Sequence, residues 1–254
     1  MPRFGETSPA RLACAIVQAR MRSERLPGKT LLELAGRPVL RHLIDRLRAC
    51  KSLDCIAVAT SVNPADDAIV SLCNELSLRC ERGSEDDVLG RFVAAASAIG
   101  AEIVVRVTGD NPLIDPDIVD ALVDAMQQDP DLQYCYAANS PLGTSCEAVS
   151  LTALRHVQAL CERHEHREHV TLFIRERPDL FRVKELRSKL GRPDLRLTLD
   201  TDEDFQMLST VFHKLYRPGK LLAVRDVMDY LSSHEDVVRM NRNVQQCRPG
   251  NPVV

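Results

Sequence analysis

Short runs that are apolar on both faces alternate with helix-initiating segments along almost the whole chain, and this alternation limits the possible folds most severely. CIAVAT (Cys55–Thr60) and IVVRVT (Ile103–Thr108) lack the in–out pattern of a strand with one wet face. Strands of this kind need a helix layer on each side. Further strand candidates are Leu12–Gln18, Arg79–Arg82, Gln133–Ala138 and Leu195–Leu199. Between them, Pro38 precedes an apolar stripe at helical spacing, Val39, Leu40, Leu43, Ile44 and Leu47. Asn63-Pro64 with Asp66 and Asp67, and Asp115-Pro116 ahead of Ile118 and Val119, combine a cap, a first-turn proline and, in the first case, two dipole-compatible acids. The units imply an α/β fold with a mostly parallel sheet and right-handed crossovers. After Asn139 the rhythm breaks into the turn-rich SPLGTSCEAVS and then a helical pattern at Leu151–Cys161. Such an excursion is where specificity is commonly built. Residues 11–234 are expected to form one domain, with 1–10 and 235–254 as mobile ends rich in Pro, Gly and polar residues.

The 254 residues are 44% apolar, enough for one substantial core, and carry a formal net charge of −3. That charge excludes a general nucleic-acid binder, so any anion site is local. No apolar run is long enough to span a membrane, and residues 1–11 lack a secretory apolar region. The nine cysteines form no C-x-x-C, and Cys73 and Cys161 sit within apolar periodic segments. Reduced thiols in a cytoplasmic protein are therefore expected. The run His164–His169 is not a zinc motif, because Glu168 stands where H-E-x-x-H needs its second histidine.

Chemistry concentrates in QARMRSERLPGK, Gln18–Lys29, directly after the first strand. Arg20, Arg25 and Lys29 share this loop with Ser23, Pro27 and Gly28. Fixed cations and backbone N–H groups at a strand end, next to a helix start, suit a polyphosphate. Gly28-Lys29-Thr30 ends like the phosphate loop of a kinase, but Ser23 stands where that motif needs glycine and Pro27 lacks an N–H.

Two acids answer the cations. The strand Ile103–Thr108 runs into Gly109-Asp110-Asn111-Pro112, and the ligand edge of an open α/β sheet lies at the carboxyl ends of its strands. Leu195–Leu199 ends at Asp200, ahead of Asp202 and Glu203, which read as the cap and first turn of a helix. If the two strands are neighbours, Asp110 and Asp200 converge, and Mg2+ is usually held by one or two carboxylates plus phosphates. Arg106, inside a buried strand, needs an anion, either a phosphate or an acid.

Ala19-Arg20, Ser23 and Lys29, then RVTGDNPLIDP, then LRLTLDTDEDF resemble, in order, the motifs of the sugar cytidylyltransferases. The resemblance runs over roughly residues 12–216 and is nearest the branch with the spore-coat polysaccharide and acylneuraminate enzymes. It implies a three-layer, Rossmann-like nucleotidyltransferase fold similar to glycosyltransferase A. It implies transfer of CMP from CTP to an acidic sugar or small phosphorylated or phosphonate acceptor, with Mg2+ and as a homodimer. Arg20 and Lys29 would be catalytic and Asp110 and Asp200 the metal ligands. Gln18, Ala19, Arg20, Ser23, Arg25, Lys29, Thr60, Gly83, Ser84, Arg106 and Gly109 would line the nucleotide site. Glu147, Arg167 and His169 would face the acceptor. From the residues alone, Ser84 reads as the cap of the following helix with Asp87 at capping-box spacing. Arg22, where the family carries glycine, and Ser145-Cys146 depart from the pattern. They keep open a non-catalytic nucleotide-binding scaffold, or an enzyme using another nucleotide.

Overall fold

The computed structural model describes residues 10–246. The strands are β1 (Ala13–Gln18), β2 (Glu33–Leu34), β3 (Arg37–Pro38), β4 (Cys55–Ser61), β5 (Arg79–Gly83), β6 (Ile103–Thr108), β7 (Tyr134–Ala138), β8 (Glu147–Ser150) and β9 (Val183–Arg187). The helices are α1 (Val39–Leu47), α2 (Asp67–Glu75), α3 (Val88–Ile99), α4 (Pro116–Gln128), α5 (Leu151–Leu160), α6 (His164–Glu168), α7 (Leu172–Glu176), α8 (Asp202–Leu215), α9 (Val224–Ser232) and α10 (Glu235–Arg239).

The main sheet has the order β5-β4-β1-β6-β8-β7-β9, and only β8 runs against its neighbours. The expected mostly parallel sheet with a later excursion is what forms. One sheet face packs on α1, α2 and α4 through Leu43, Ile44, Ile69 and Val119, and the other on α3 and α5 through Phe92, Leu154 and Val157. That sandwich explains why β1 is buried throughout except at Gln18, which is half-buried. Each fully buried aliphatic side chain contributes about 1.5–3 kcal/mol. A third cluster gathers Leu195, Leu197 and Leu199 with α8 and α9 through Leu208, Val211 and Val227.

Several expectations need correcting. Leu195–Leu199 is extended but is no strand of the sheet. It makes an isolated bridge, Arg196 to Leu142, and its backbone groups bond to Leu142, to the carbonyls of Asp110 and Arg192 and to the Asn241 side chain. Gly143 permits this approach, since a Cβ there would lie 2.5 Å from Thr198 N at a φ of +95°. The β2–β3 hairpin and β9 were not anticipated. The helix after Ser84 is capped by Asp87, whose side chain accepts from Gly90 N at 2.9 Å, so Ser84 is not its cap. Thr201, one residue before the expected Asp202, caps α8 in a capping box with Asp204. Of the ends expected to be mobile, residues 1–9 and 247–254 lie outside the described residues. Residues 235–246 pack down: Val237, Val238 and Asn241 are buried against the third cluster and its polar margin.

Candidate active site

The loop after β1 is pinned at its base. Ala19 N donates to Ala59 O at 3.3 Å, Met21 N to Asp66 Oδ1 at 2.7 Å, and Gly28 N to Met21 O at 2.8 Å. Gly28, at a φ of +73°, turns the chain into the short 3-10 turn Lys29–Leu31. Asp66 is the hub. It is 1% exposed and also accepts from the Thr60 hydroxyl (3.0 Å), Ser61 N (3.0 Å) and the Ser61 hydroxyl (2.5 Å). Burial pushes its pKa up, but these donors outweigh burial and hold it below the usual aspartate value. Thr60, expected to face the nucleotide, has its hydroxyl committed to this hub. Gly109 touches the same loop: its N–H donates to Gln18 O at 2.8 Å, and a Cβ would stand 3.0 Å from that oxygen.

At the loop's end three groups meet. Lys29 Nζ donates to Asp110 Oδ2 at 2.6 Å and to Asp200 Oδ1 at 2.8 Å. Arg25 pairs with the other oxygen of Asp200. The two acids, 90 residues apart, thus converge on one ammonium at the carboxyl edge of the sheet. They converge because Leu199 N donates to the Asp110 carbonyl at 2.8 Å, not because their segments are sheet neighbours. Burial pushes the Asp110 carboxyl up, but the Lys29 charge and hydrogen bonds keep it below the ordinary range. Arg22 is largely exposed, 3.6 Å from Glu85. Ser23 is half-buried on the loop.

Glu147 and Arg167, expected to face the acceptor, and Arg106 and Arg20, expected to face the nucleotide, are all paired within the protein. Arg106 meets not a phosphate but Glu147, directly opposite it on β8, at 2.9 Å. Glu147 also accepts from Tyr134 Oη (2.5 Å) and Thr171 Oγ1 (2.7 Å). Burial pushes the Glu147 carboxyl up, yet the Arg106 charge and those hydroxyls hold it below its ordinary value of 4.5. Arg167 goes to Asp87 at 3.0 Å, at the cap of α3, and Arg20 to Glu168 at 3.3 Å. His169 is half-buried; burial, with Arg106 and Arg20 nearby, depresses its pKa. Gly83 ends β5 beside the Arg91 side chain, while Ser84 is exposed and its carbonyl accepts from Arg91.

Sequence reasoning missed Asp66, Asp204 and Arg196. Asp66 looked like an ordinary first-turn acid, and its burial is set by the loop folded over it. Gln18 Oε1, Thr30 Oγ1, Asn111 Oδ1 and Arg106 Nε are buried without a protein partner, and all four lie on segments that border the site.

A cationic loop and two convergent acids, at the carboxyl ends of the parallel strands of a three-layer α/β sheet, define a Rossmann-like nucleotidyltransferase. The family model described as cytidylyltransferase matches residues 14–234, and the chain belongs to that family. It is 38% identical to the spore coat polysaccharide biosynthesis protein SpsF of Bacillus subtilis over 238 residues, 90% of this chain and 93% of that one. It is 37% identical to the 3-deoxy-manno-octulosonate cytidylyltransferase of Geobacter sulfurreducens over 118 residues, 46% of each. The solved structure of a cytidylyltransferase from Leptospira borgpetersenii superposes with a TM-score of 0.85 at 26% identity, covering 94% of this chain and 100% of that one.

Proposed function

We propose that the protein transfers CMP from CTP to a hydroxyl of an acidic sugar, or of a small phosphorylated or phosphonate acceptor, and releases pyrophosphate. The observation that carries this reading is Lys29 shared between Asp110 and Asp200, in a chain of the cytidylyltransferase family. The names of SpsF and of the octulosonate enzyme support surface-polysaccharide chemistry and an acidic sugar acceptor.

In this reading the acceptor hydroxyl loses its proton to solvent water as its oxygen attacks the α-phosphorus in line, and the bond to the bridging oxygen of the β-phosphate breaks. Lys29, Arg25 and Arg20 stabilise charge accumulating on the departing pyrophosphate. Groups preorganised toward developing charge account for most of such catalysis. Asp66 keeps the loop that carries them closed at its base. Asp110 and Asp200 would hold Mg2+. Their donors suit it, because two hard carboxylate oxygens already converge on one cation within 2.6 and 2.8 Å. When bound, the ion supplies further neutralisation of the triphosphate. No helix among the described residues is long and apolar enough to cross a membrane.

The test is thermal shift with CTP, GTP, ATP and UTP, each with and without Mg2+, followed by pyrophosphate release with a panel of acidic sugars. A ligand that binds only the folded state raises the melting temperature by mass action. CTP with Mg2+ should give the largest rise. A larger response to another nucleotide, or no pyrophosphate with any acceptor, rules this reading out.

A further inference from the structure

Asn241 lies beyond residue 234, where the family match ends, yet it is 4% exposed. Its side-chain amide donates to the Arg196 carbonyl at 3.0 Å and to Asp204 Oδ1 at 2.8 Å. Asp204 is fully buried. It gathers five hydrogen bonds: two from Arg196, one each from Asp200 N and Thr201 N, and that from Asn241. Arg196 meanwhile stands only 3.7 Å from Asp200 Oδ2. It therefore has two acids within reach. The bidentate pair with Asp204, both bonds at 2.8 Å, takes its hydrogen bonds and leaves it only a longer ion pair with Asp200. The same C-terminal arm touches Arg196 again through Gln246 Oε1, and Arg25 through the Gln245 carbonyl at 3.1 Å.

We infer that the arm after α9 keeps Arg196 from closing onto Asp200 as a hydrogen-bonded partner, with Asn241 as its positioning residue. The inference rests on the reading that Asp110 and Asp200 hold a divalent cation. A further guanidinium on Asp200 competes directly with that ion. Without Asn241, Asp204 loses a donor and the Arg196 carbonyl is left buried and unpaired, so the pair loosens and Arg196 divides its time between the two acids.

The probe is Mn2+, titrated into the full-length chain at saturating CTP and followed by the electron paramagnetic resonance signal of the free ion. Asn241→Ala should weaken Mn2+ binding about tenfold, the effect of one buried hydrogen bond. The metal concentration for half-maximal activity should rise in parallel, while kcat at saturating metal stays near wild type. A Mn2+ affinity equal to wild type, whatever happens to the melting temperature, overturns the inference. Should Asn241→Ala fail to fold, Gln246→Ala removes only the second contact of Arg196 and should weaken Mn2+ about threefold; no change there overturns it equally. If the wild-type chain takes up no Mn2+ with CTP, the metal role of Asp110 and Asp200 falls and this inference with it. Uptake by wild type and variant alike removes the arm's role alone.

Discussion

The two ends of the site treat charge in opposite ways. On the nucleotide side, Lys29 is shared by Asp110 and Asp200, and Asp200 is shared in turn by Lys29 and Arg25. Around Glu147 and Arg167 the close pairs are separate: Arg106 lies 2.9 Å from Glu147, with Arg175 farther off at 3.9 Å, and Arg167 lies 3.0 Å from Asp87. A shared network exchanges partners readily when a charged ligand enters, whereas private pairs hold a shape. The first arrangement suits a binding centre for a highly charged substrate, and the second suits walls of fixed form.

The largest effect that could break this contrast is at the shared acids. Asp110→Ala or Asp200→Ala should lower pyrophosphate release about a thousandfold with the fold retained, and circular dichroism beside a turnover assay checks both. Near-wild-type turnover in either variant ends the metal assignment. Lys29→Met should cost about a hundredfold in turnover, measured at saturating CTP.

The private pairs should respond in stability instead. Glu147→Gln leaves Arg106 half-buried without its counter-charge and should cost about 3 kcal/mol in urea unfolding. The pH dependence follows from the same pair. The Glu147 carboxyl sits below its ordinary 4.5 in the folded state, so its stabilisation is complete above that value. It is lost as the pH falls through the lower folded value. The melting-temperature gap between wild type and Glu147→Gln should therefore narrow below about pH 4.5; a gap that widens in acid contradicts the pairing. Smallest is Arg167→Ala, which breaks a partly exposed pair and should cost less than about 1 kcal/mol. A large rise in acceptor KM for that variant would move Arg167 from the wall to the binding surface.

The sequence showed the nucleotide side more clearly than the acceptor side, for a physical reason. Parallel strands covered on both faces write themselves as continuous apolar runs, so the ends of β1 and β6, and with them Lys29 and Asp110, could be placed from pattern alone. The pairing of Arg106 with Glu147 depends on the register of β8, an antiparallel strand of four residues whose partner is set by tertiary contacts. Leu195–Leu199 alternates like a strand because its leucines enter the third cluster, although its backbone bonds reach loops rather than a sheet neighbour. Thr201 and Asp202 are both good caps, and only the buried position of Asp204 decides between them. The arm at 235–246 reads as polar because only two of its four apolar residues, Val237 and Val238, join the cluster formed by α8 and α9.

Lys29 sitting between Asp110 and Asp200 gives the resting protein an internal stand-in for the cation that the proposed triphosphate would carry. Nucleotide arriving by itself would draw the ammonium away and leave Asp110 bare while Asp200 keeps Arg25; metal arriving by itself would evict the ammonium with nowhere to go. A triphosphate already carrying its cation would swap both partners in a single exchange. On the proposed reading, thermodynamic reciprocity would then require each component to tighten the other by the same factor, so the pocket would work as a coincidence detector that responds weakly to either half of the pair.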